Sequence, residues 1–300
     1  MQFTNKLNLP RYIVDWLMKD NYDHATSPNT ISATGLMKPL RAQVLTTRHA
    51  DKLVMDVSEL IASRYGSAIH DSIERIDTPG VSKEVRTFKK ITVRGVEFTI
   101  SGKYDLLEEQ NNVHTLRDIK STSVWAKIHG GKDNDYRAQL SIYRWLLSDT
   151  HNINPTAFID FFFTDWQGSK AKQEPDYPQS RLSPGHPISL ASVADTEKAI
   201  IRKLEAIVEY SDVPDNDLPL CTDDELWAEE EKFAVYKINN KRATKICDSK
   251  IEAERYIREN EMKDTVIQHR PGKVKRCKYC AAAPFCNQFK SLLERKMIAD

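Results

Sequence analysis

Between Asp51 and Ile76 the apolar residues fall at Leu53, Val57, Leu60, Ile61, Tyr65, Ile69, Ile73 and Ile76. That spacing predicts one amphipathic helix, which Thr78-Pro79-Gly80 ends. The period then changes. Val85 to Val93 and Val96 to Ser101 are β-branched or alternating runs about Arg94-Gly95, which predicts a hairpin. After the polar break Gln110-Asn111-Asn112, Val113 to Ser121 predicts another strand. Tyr136 to Ser148 has the pattern of an amphipathic helix. Ala157 to Phe163 is apolar except for Asp160 and short enough to be a largely buried strand. The prolines and glycines of 168–188 predict a loop. Val193 to Tyr210 predicts a helix with Ile200, Leu204 and Ile207 on one stripe, and Ile251 to Asn260 another. Residues 1–50 are mixed, with a turn at Ser27-Pro28-Asn29-Thr30. The order helix, three strands, helix, strand indicates an α/β fold with a mixed sheet.

Composition narrows the class. At 300 residues, one core with a substantial appendage is the economical expectation. Hydrophobic content of 40% and charged content of 29% describe an ordinary soluble globular protein. No apolar run approaches a membrane span, and the start MQFTNKLNLPRY has no signal-peptide core, so the expected location is cytoplasmic. The net charge of +1 carries no global signal for nucleic acid, so any such signal lies in patches. Arg270 to Lys278 holds five basic residues and no acidic one, and Asp215 to Glu231 holds eight acidic residues and no basic one. Two solvated faces of opposite sign account for these runs as well as a partner site would.

Asp105, Asp118 and Lys120 carry the first chemical signal. Asp105 is placed just past the end of the Val96–Ser101 strand. Asp118 and Lys120, two apart on the next strand, point to one face. If the strands pair, two carboxylates and an ammonium converge. Carboxylate oxygens suit magnesium or manganese, an ion that polarises a phosphodiester and acidifies water. Lys120 can position that water or stabilise charge on phosphate. Alone, a D…DxK pattern is equally a surface salt bridge. Two helices add to it: Gly66 and His70 stack on the first, Gln139 and Tyr143 on the helix after the DxK strand.

In this order Gly66-x3-His70, Gly102-x2-Asp105, Asp118-x-Lys120 and Gln139-x3-Tyr143 resemble the RecB-type branch of the PD-(D/E)XK nucleases. The resemblance spans roughly residues 60–165 and is specific as a set. It implies a metal bound by Asp105, Asp118 and the carbonyl of Ile119, with His70 as a further ligand. It also implies that Gln139 and Tyr143 hold the DNA backbone or the catalytic Lys120. Glu84, at the entry to the first strand, is read as a surface residue rather than a ligand.

The five cysteines, at 221, 247, 277, 280 and 286, do not form a secreted disulfide framework. Cys277, Cys280 and Cys286, as C-x2-C-x5-C, can wrap zinc or an iron–sulfur centre. This tail resembles that of iron–sulfur nucleases of the AddB and CRISPR-adaptation kind. There, three C-terminal cysteines join an N-terminal one to hold a [4Fe-4S] cluster. No cysteine precedes 221 here, so the fourth ligand is expected from Cys221, in a loop, with Cys247 packing as a small hydrophobe.

The expected organisation is an N-terminal cap over 1–50, a PD-(D/E)XK (restriction-endonuclease-like) core over 51–210 and a cysteine-stapled segment over 211–300. The expected activity is metal-dependent hydrolysis of DNA, as an exonuclease in recombination, repair or phage DNA processing. A recombination or single-strand-binding protein is a candidate partner. The rival readings are an endonuclease of the same chemistry and a nucleic-acid-binding module with a degenerate site.

Overall fold

The structure, a computed structural model, describes residues 2–19, 29–130 and 132–299. Of the expected turn at 27–30, Ser27 and Pro28 lie outside the described residues. In chain order come β1 (Gln2–Thr4), α1 (Arg11–Met18), β2 (Thr30–Ser32), α2 (Ala33–Leu36), α3 (Leu40–Arg48), β3 (Val54–Asp56) and α4 (Ile61–Glu74). There follow β4 (Val81–Val93), β5 (Val96–Gln110), β6 (Val113–Thr122), α5 (Val124–Ile128), α6 (Asp133–Leu147) and β7 (Thr156–Phe163). Next are α7 (Gly168–Gln173), β8 (Leu182–Ser189) and α8 (Val193–Tyr210). The rest are β9 (Lys232–Lys237), β10 (Lys245–Cys247), α9 (Lys250–Glu259), β11 (Thr265–Arg270) and α10 (Asn287–Glu294). No helix among the described residues is long and apolar enough to cross a membrane. Two compact units result: Met1–Lys38 with Val54–Glu209, and Pro39–Leu53 with Tyr210–Asp300.

The first unit is built on a mixed six-stranded sheet in the order β2-β5-β6-β7-β8, with β4 also on β5. β2 with β5 and β6 with β7 are parallel; the other pairs are antiparallel. The fold is therefore α/β with a mixed central sheet flanked by helices, as the pattern predicts. Asn111 and Asn112, at φ 52° and 60°, make the tight turn between β5 and β6. α6 buries Tyr136, Leu140, Ile142, Tyr143, Trp145, Leu146 and Leu147, and α8 buries Ile200 and Leu204 in the same core. Each such side chain contributes about 1.5–3 kcal/mol of burial.

Two expectations are corrected. The single helix over 51–76 is broken: Val54–Asp56 is a strand, and the α-helix starts only at Ile61. Asp56 breaks it by forming a capping box with Glu59, which starts a short 3-10 turn. Residues 168–188 are not all loop, because α7 and most of β8 lie there. β8 is an edge strand and so tolerates Pro184 and Pro187. The polar exception in β7 is also explained. Asp160 receives Arg117 through both its oxygens, at 2.8 and 2.6 Å, and the Gly185 N–H at 2.8 Å, beside a register shift between β7 and β8.

In the second unit β9 lies between β10 and β11 in an antiparallel sheet covered by α9, with Val235, Cys247 and Ala253 buried. Two further apolar clusters form around Leu45, Leu218 and Cys286, and around Leu226, Cys277 and Leu292. The acidic and basic runs are not two separate solvated faces. Ala228 bridges Val274, Lys275 Nζ lies 2.6 Å from Glu229, and Asp215 holds Arg48 and His49 at 2.6 and 2.7 Å. The backbone bridge between Ala228 and Val274 sets the two runs side by side, and Lys275 pairs with Glu229 there.

Candidate active site and thiol pocket

β4 follows one edge of β5 along nearly its whole length. The other edge changes partner: β2 pairs with Thr99–Ser101 and β6 with Leu106–Gln110. Between them, Gly102-Lys103-Tyr104-Asp105 has no ladder partner on that side. Asp105 is thus inside a 15-residue strand rather than past the end of a short one, and sits at a fork in the sheet. Its Oδ2 accepts the Ile119 N–H at 2.7 Å, where the β5–β6 ladder stops. Continuing the registers places Asp118 and Glu84 directly across from Asp105, on its two sides. Glu84 has φ 53°, and the β4–β5 ladder skips that pair. A non-glycine residue held there stores about 1–3 kcal/mol of strain, which the surroundings must offset.

Glycine permits the helices to approach. A Cβ on Gly102 would lie 2.6 Å from Leu146 Cδ1 and 2.8 Å from Tyr143 Cε1, so α6 could not pack there against any larger residue. A Cβ on Gly66 would lie 3.1 Å from Ser121 Oγ, a milder conflict between α4 and β6. The close packing brings Gln139 to Lys120: Lys120 Nζ donates to Gln139 Oε1 at 3.2 Å, and Gln139 Nε2 donates to the Tyr143 hydroxyl at 3.0 Å. Lys120 Nζ also lies 2.7 Å from Asp118 Oδ2 and 5.7 Å from the centre of the Tyr136 ring.

His70 of α4 meets Glu84 at 2.7 Å and Asp105 at 3.7 Å through Nδ1. Lys103 Nζ meets the other Glu84 oxygen at 2.7 Å. The surface reading of Glu84 is therefore overturned: only 11% of its side chain is exposed, because the left-handed turn of the backbone there sets it against His70 and Lys103. Glu84, Lys103 and Tyr136 lie at the fork with the motif residues, and the motif pattern missed them. Only the cross-strand register, unreadable before the pairing is known, marks the first two.

The electrostatics are those of crowded acids. Burial and then the charge of Asp118 push Asp105 up to about 7, against the pull of His70 and Lys120. Burial alone would lower His70, but the Glu84 hydrogen bond and the charges of Asp105, Glu84 and Asp118 raise it to about 9. Burial would raise Glu84, yet His70 and Lys103 hold it below the usual carboxylate range. For Lys120 burial is likewise outweighed by Asp118 and Asp105, and its pKa is raised. Asp118 is 1% exposed, and neither of its oxygens receives a well-directed hydrogen bond. Lys120 Nζ, 2.7 Å from its Oδ2, offsets part of the cost of burying it, and a cation can supply what Oδ1 lacks. His70, Glu84 and Asp105 offer ligand atoms within 4.8 Å of one another. One nitrogen and several oxygens fit a divalent ion.

A second pocket lies in the other unit. Cys221, Cys277, Cys280 and Cys286 line it together with Arg41, Leu45, Leu226 and Ala283. Burial, then the charges of Glu225, Cys286 and Cys280, pushes the Cys221 thiol up to about 12; burial, then Cys280 and Cys286, pushes Cys277 to about 11. Arg41 is 2% exposed, donates to Cys286 Sγ at 3.2 Å and to the Leu218 carbonyl at 2.6 Å, and bonds Asn287. No sequence signal marked Arg41. Cys247 is elsewhere, buried under α9.

Comparison with known proteins completes the picture. Among curated protein sequences there is no match. The crystal structure of SSO0001 is similar over 68% of this chain and 86% of that one, at 20% identity and a TM-score of 0.44. The sequence profile of the PD-(D/E)XK nuclease superfamily matches residues 39–287, a span that takes in the sheet fork and the cysteines. A match over well over half of the chain, on a mixed α/β fold, establishes that the chain belongs to the PD-(D/E)XK nuclease superfamily, enzymes that act on nucleic acid with divalent metals.

Proposed function

We propose that this protein hydrolyses phosphodiester bonds in DNA at the sheet fork, using magnesium or manganese held by Asp105, Asp118, the Ile119 carbonyl and His70, with Glu84 as a further acidic ligand. The observation that carries the reading is the crowding of buried acids: Asp118 faces Lys120 through Oδ2 with its Oδ1 unpartnered, beside Asp105, an acid already pushed to about 7. The bound ion would supply Lewis acidity to the phosphodiester and to the attacking water. Lys120 supplies a fixed positive charge, kept protonated by Asp118 and Asp105, to orient that water and stabilise charge on phosphate. Gln139 holds Lys120 through its carbonyl oxygen and is itself anchored by the Tyr143 hydroxyl, so this pair positions the lysine. Glu84 accepts from His70 Nδ1, the nitrogen that also lies 3.7 Å from Asp105, so that proton must leave before His70 can ligate there.

Within the superfamily the reading is the RecB-type branch, supported by the meeting of the Gly66/His70, Gly102/Asp105, Asp118/Lys120 and Gln139/Tyr143 pieces at one fork. The four pocket cysteines then hold a [4Fe-4S] cluster. Arg41 supports this, since its charge offsets that of thiolates. Zinc remains the alternative occupant. The biological role we assign is exonucleolytic processing in recombination, repair or phage DNA metabolism, with a recombination or single-strand-binding protein as a partner. The test is digestion of linear and circular single-stranded DNA with magnesium or manganese. Cleavage of the linear form alone supports the exonuclease; cleavage of circles makes it an endonuclease; no cleavage of either overturns the reading.

A further inference from the structure

β6 and β7 run parallel, and their carboxyl ends lead into α5 and the segment around α7. Asp165, just past β7, accepts from Ser123 Oγ at 2.6 Å and from the Val124 N–H at 2.8 Å, which fixes the start of α5 beside the end of β6. Trp125 follows Lys120 by five positions, at most about 18 Å of chain. Trp125 is 42% exposed.

Aromatic and basic residues alternate around it. Trp125 stacks on His129, at 5.7 Å and 17°, and meets the edge of the buried Tyr177 at 6.4 Å. Lys170 of α7 lies 5.1 Å over the Trp125 ring, and Arg181 lies 5.9 Å from the Trp166 ring. Lys127 donates to Ser183, and Lys172 is exposed. Among the described residues, Lys127, Lys170, Lys172 and Arg181 form no ion pair with a carboxylate. Asp165 feels the charge of Lys170, but its oxygens are taken by the α5 cap.

Such cations resting on aromatic rings suit a polyanion that also offers flat apolar faces. Single-stranded nucleic acid does both, because its bases are free to stack on side chains. A duplex offers the phosphates but keeps its bases stacked on each other. Lys170 sits on a flexible stem, so a base can take its place over Trp125 while the ammonium turns to a phosphate. We propose that Trp125, with Lys127, Lys170, Lys172 and Arg181, forms a track that holds single-stranded nucleic acid as it enters the carboxylate site. The inference rests on the nuclease reading above and specifies its substrate class.

The test uses the full chain carrying Asp118→Ala, so that the probe stays intact, and fluorescence anisotropy with a labelled single-stranded oligodeoxynucleotide or its blunt duplex. Trp125→Ala should weaken single-strand binding about tenfold, the scale of one lost base stack, and leave duplex binding unchanged. Trp125→Phe, which keeps a stacking face, should restore most of the loss. Lys127→Ala with Lys170→Ala should flatten the salt dependence by about 0.7 in slope for each phosphate that is no longer neutralised. Unchanged single-strand binding in Trp125→Ala would leave the patch to a protein partner and overturn the track. An equal loss for single strand and duplex would do the same. The two readings fail separately: if the wild type cleaves DNA normally and Trp125→Ala binds like its parent, only the track falls. If the wild type cleaves no nucleic acid at all, the nuclease reading falls first.

Discussion

The carboxylate fork and the thiol pocket gather ligands in opposite ways. At the fork, oxygens and one imidazole are held by a sheet that folds for its own reasons: β4, β5, β6 and β7 bury Ile100, Leu116, Ile159 and Phe161 whether or not an ion is bound. In the pocket, the cysteines come from a loop and two single 3-10 turns, with small apolar clusters around them. A preformed site spends little of its metal affinity on folding. A site built from irregular segments converts ligand affinity into fold stability. On the reading proposed above, the same kind of ligand chemistry, anionic groups around a cation, would serve reaction in one unit and structure in the other.

The largest effects should separate the two. Asp118→Ala should lower DNA cleavage by more than about 10³-fold, the scale of losing a group that stabilises charge in the reaction, while the fold stays intact. Lys120→Ala should lose cleavage equally and keep metal binding, measured by calorimetry. Wild-type turnover in either variant with saturating manganese would move the active site elsewhere.

Next come the thiols. Cys280→Ser and Cys221→Ser should each lose the bound iron or zinc and expose 210–300 to protease, with the sheet unit still resistant. Cys247→Ser should retain metal, since Cys247 packs against Phe233 and Ala253 rather than facing the pocket. Metal analysis and limited proteolysis on the same samples decide this. Loss of metal in Cys247→Ser alone would assign the wrong fourth ligand.

The fork offers a smaller, purely steric comparison. Gly102→Ala puts a methyl group 2.6–2.9 Å from Leu146 and Tyr143, both well packed in α6, and overpacking of that kind costs about 1–3 kcal/mol. Tyr143 anchors Gln139, so cleavage should fall along with the melting temperature. Gly66→Ala meets only Ser121 Oγ, at 3.1 Å, and should cost less in both. Equal losses in the two variants would remove the steric account of the GxxD glycine.

The difference between the units also explains what the sequence could reveal. Strands β4 to β7 and helices α6 and α8 were legible because each keeps one period over many residues and buries one face. The three-residue strands β1, β2 and β3 are too short to show a period, and β8 hides behind prolines that only an edge position allows. Among the residues gathered at the fork, Asp118 and Lys120 were legible by alternation, and His70 and Gln139 by helical spacing. Glu84 was not, because its role depends on a cross-strand register and a left-handed backbone. Arg41 was not, because nothing local distinguishes a buried arginine that reaches Cys286 and Leu218 from a surface one.

The smallest effect is the most discriminating, and it concerns protons. Before an ion binds, Asp105 has a pKa of about 7, so a fall in pH below 7 protonates it and metal affinity should weaken by up to about tenfold per pH unit. Above 7 that dependence should vanish if carboxylates alone hold the ion. His70 changes the outcome, because it starts as an imidazolium with a pKa near 9 and must release a proton to ligate. Affinity should then keep rising with pH until about 9, and calorimetry at pH 8 in buffers of different ionisation heat should count about one proton released. No proton released at pH 8 would reduce His70 to an ion-pair partner of Glu84. The thiols give the contrasting case: with Cys221 near 12 and Cys277 near 11, they enter the pocket protonated at neutral pH. Filling that pocket should release several protons rather than one, and its pH dependence should be correspondingly steeper.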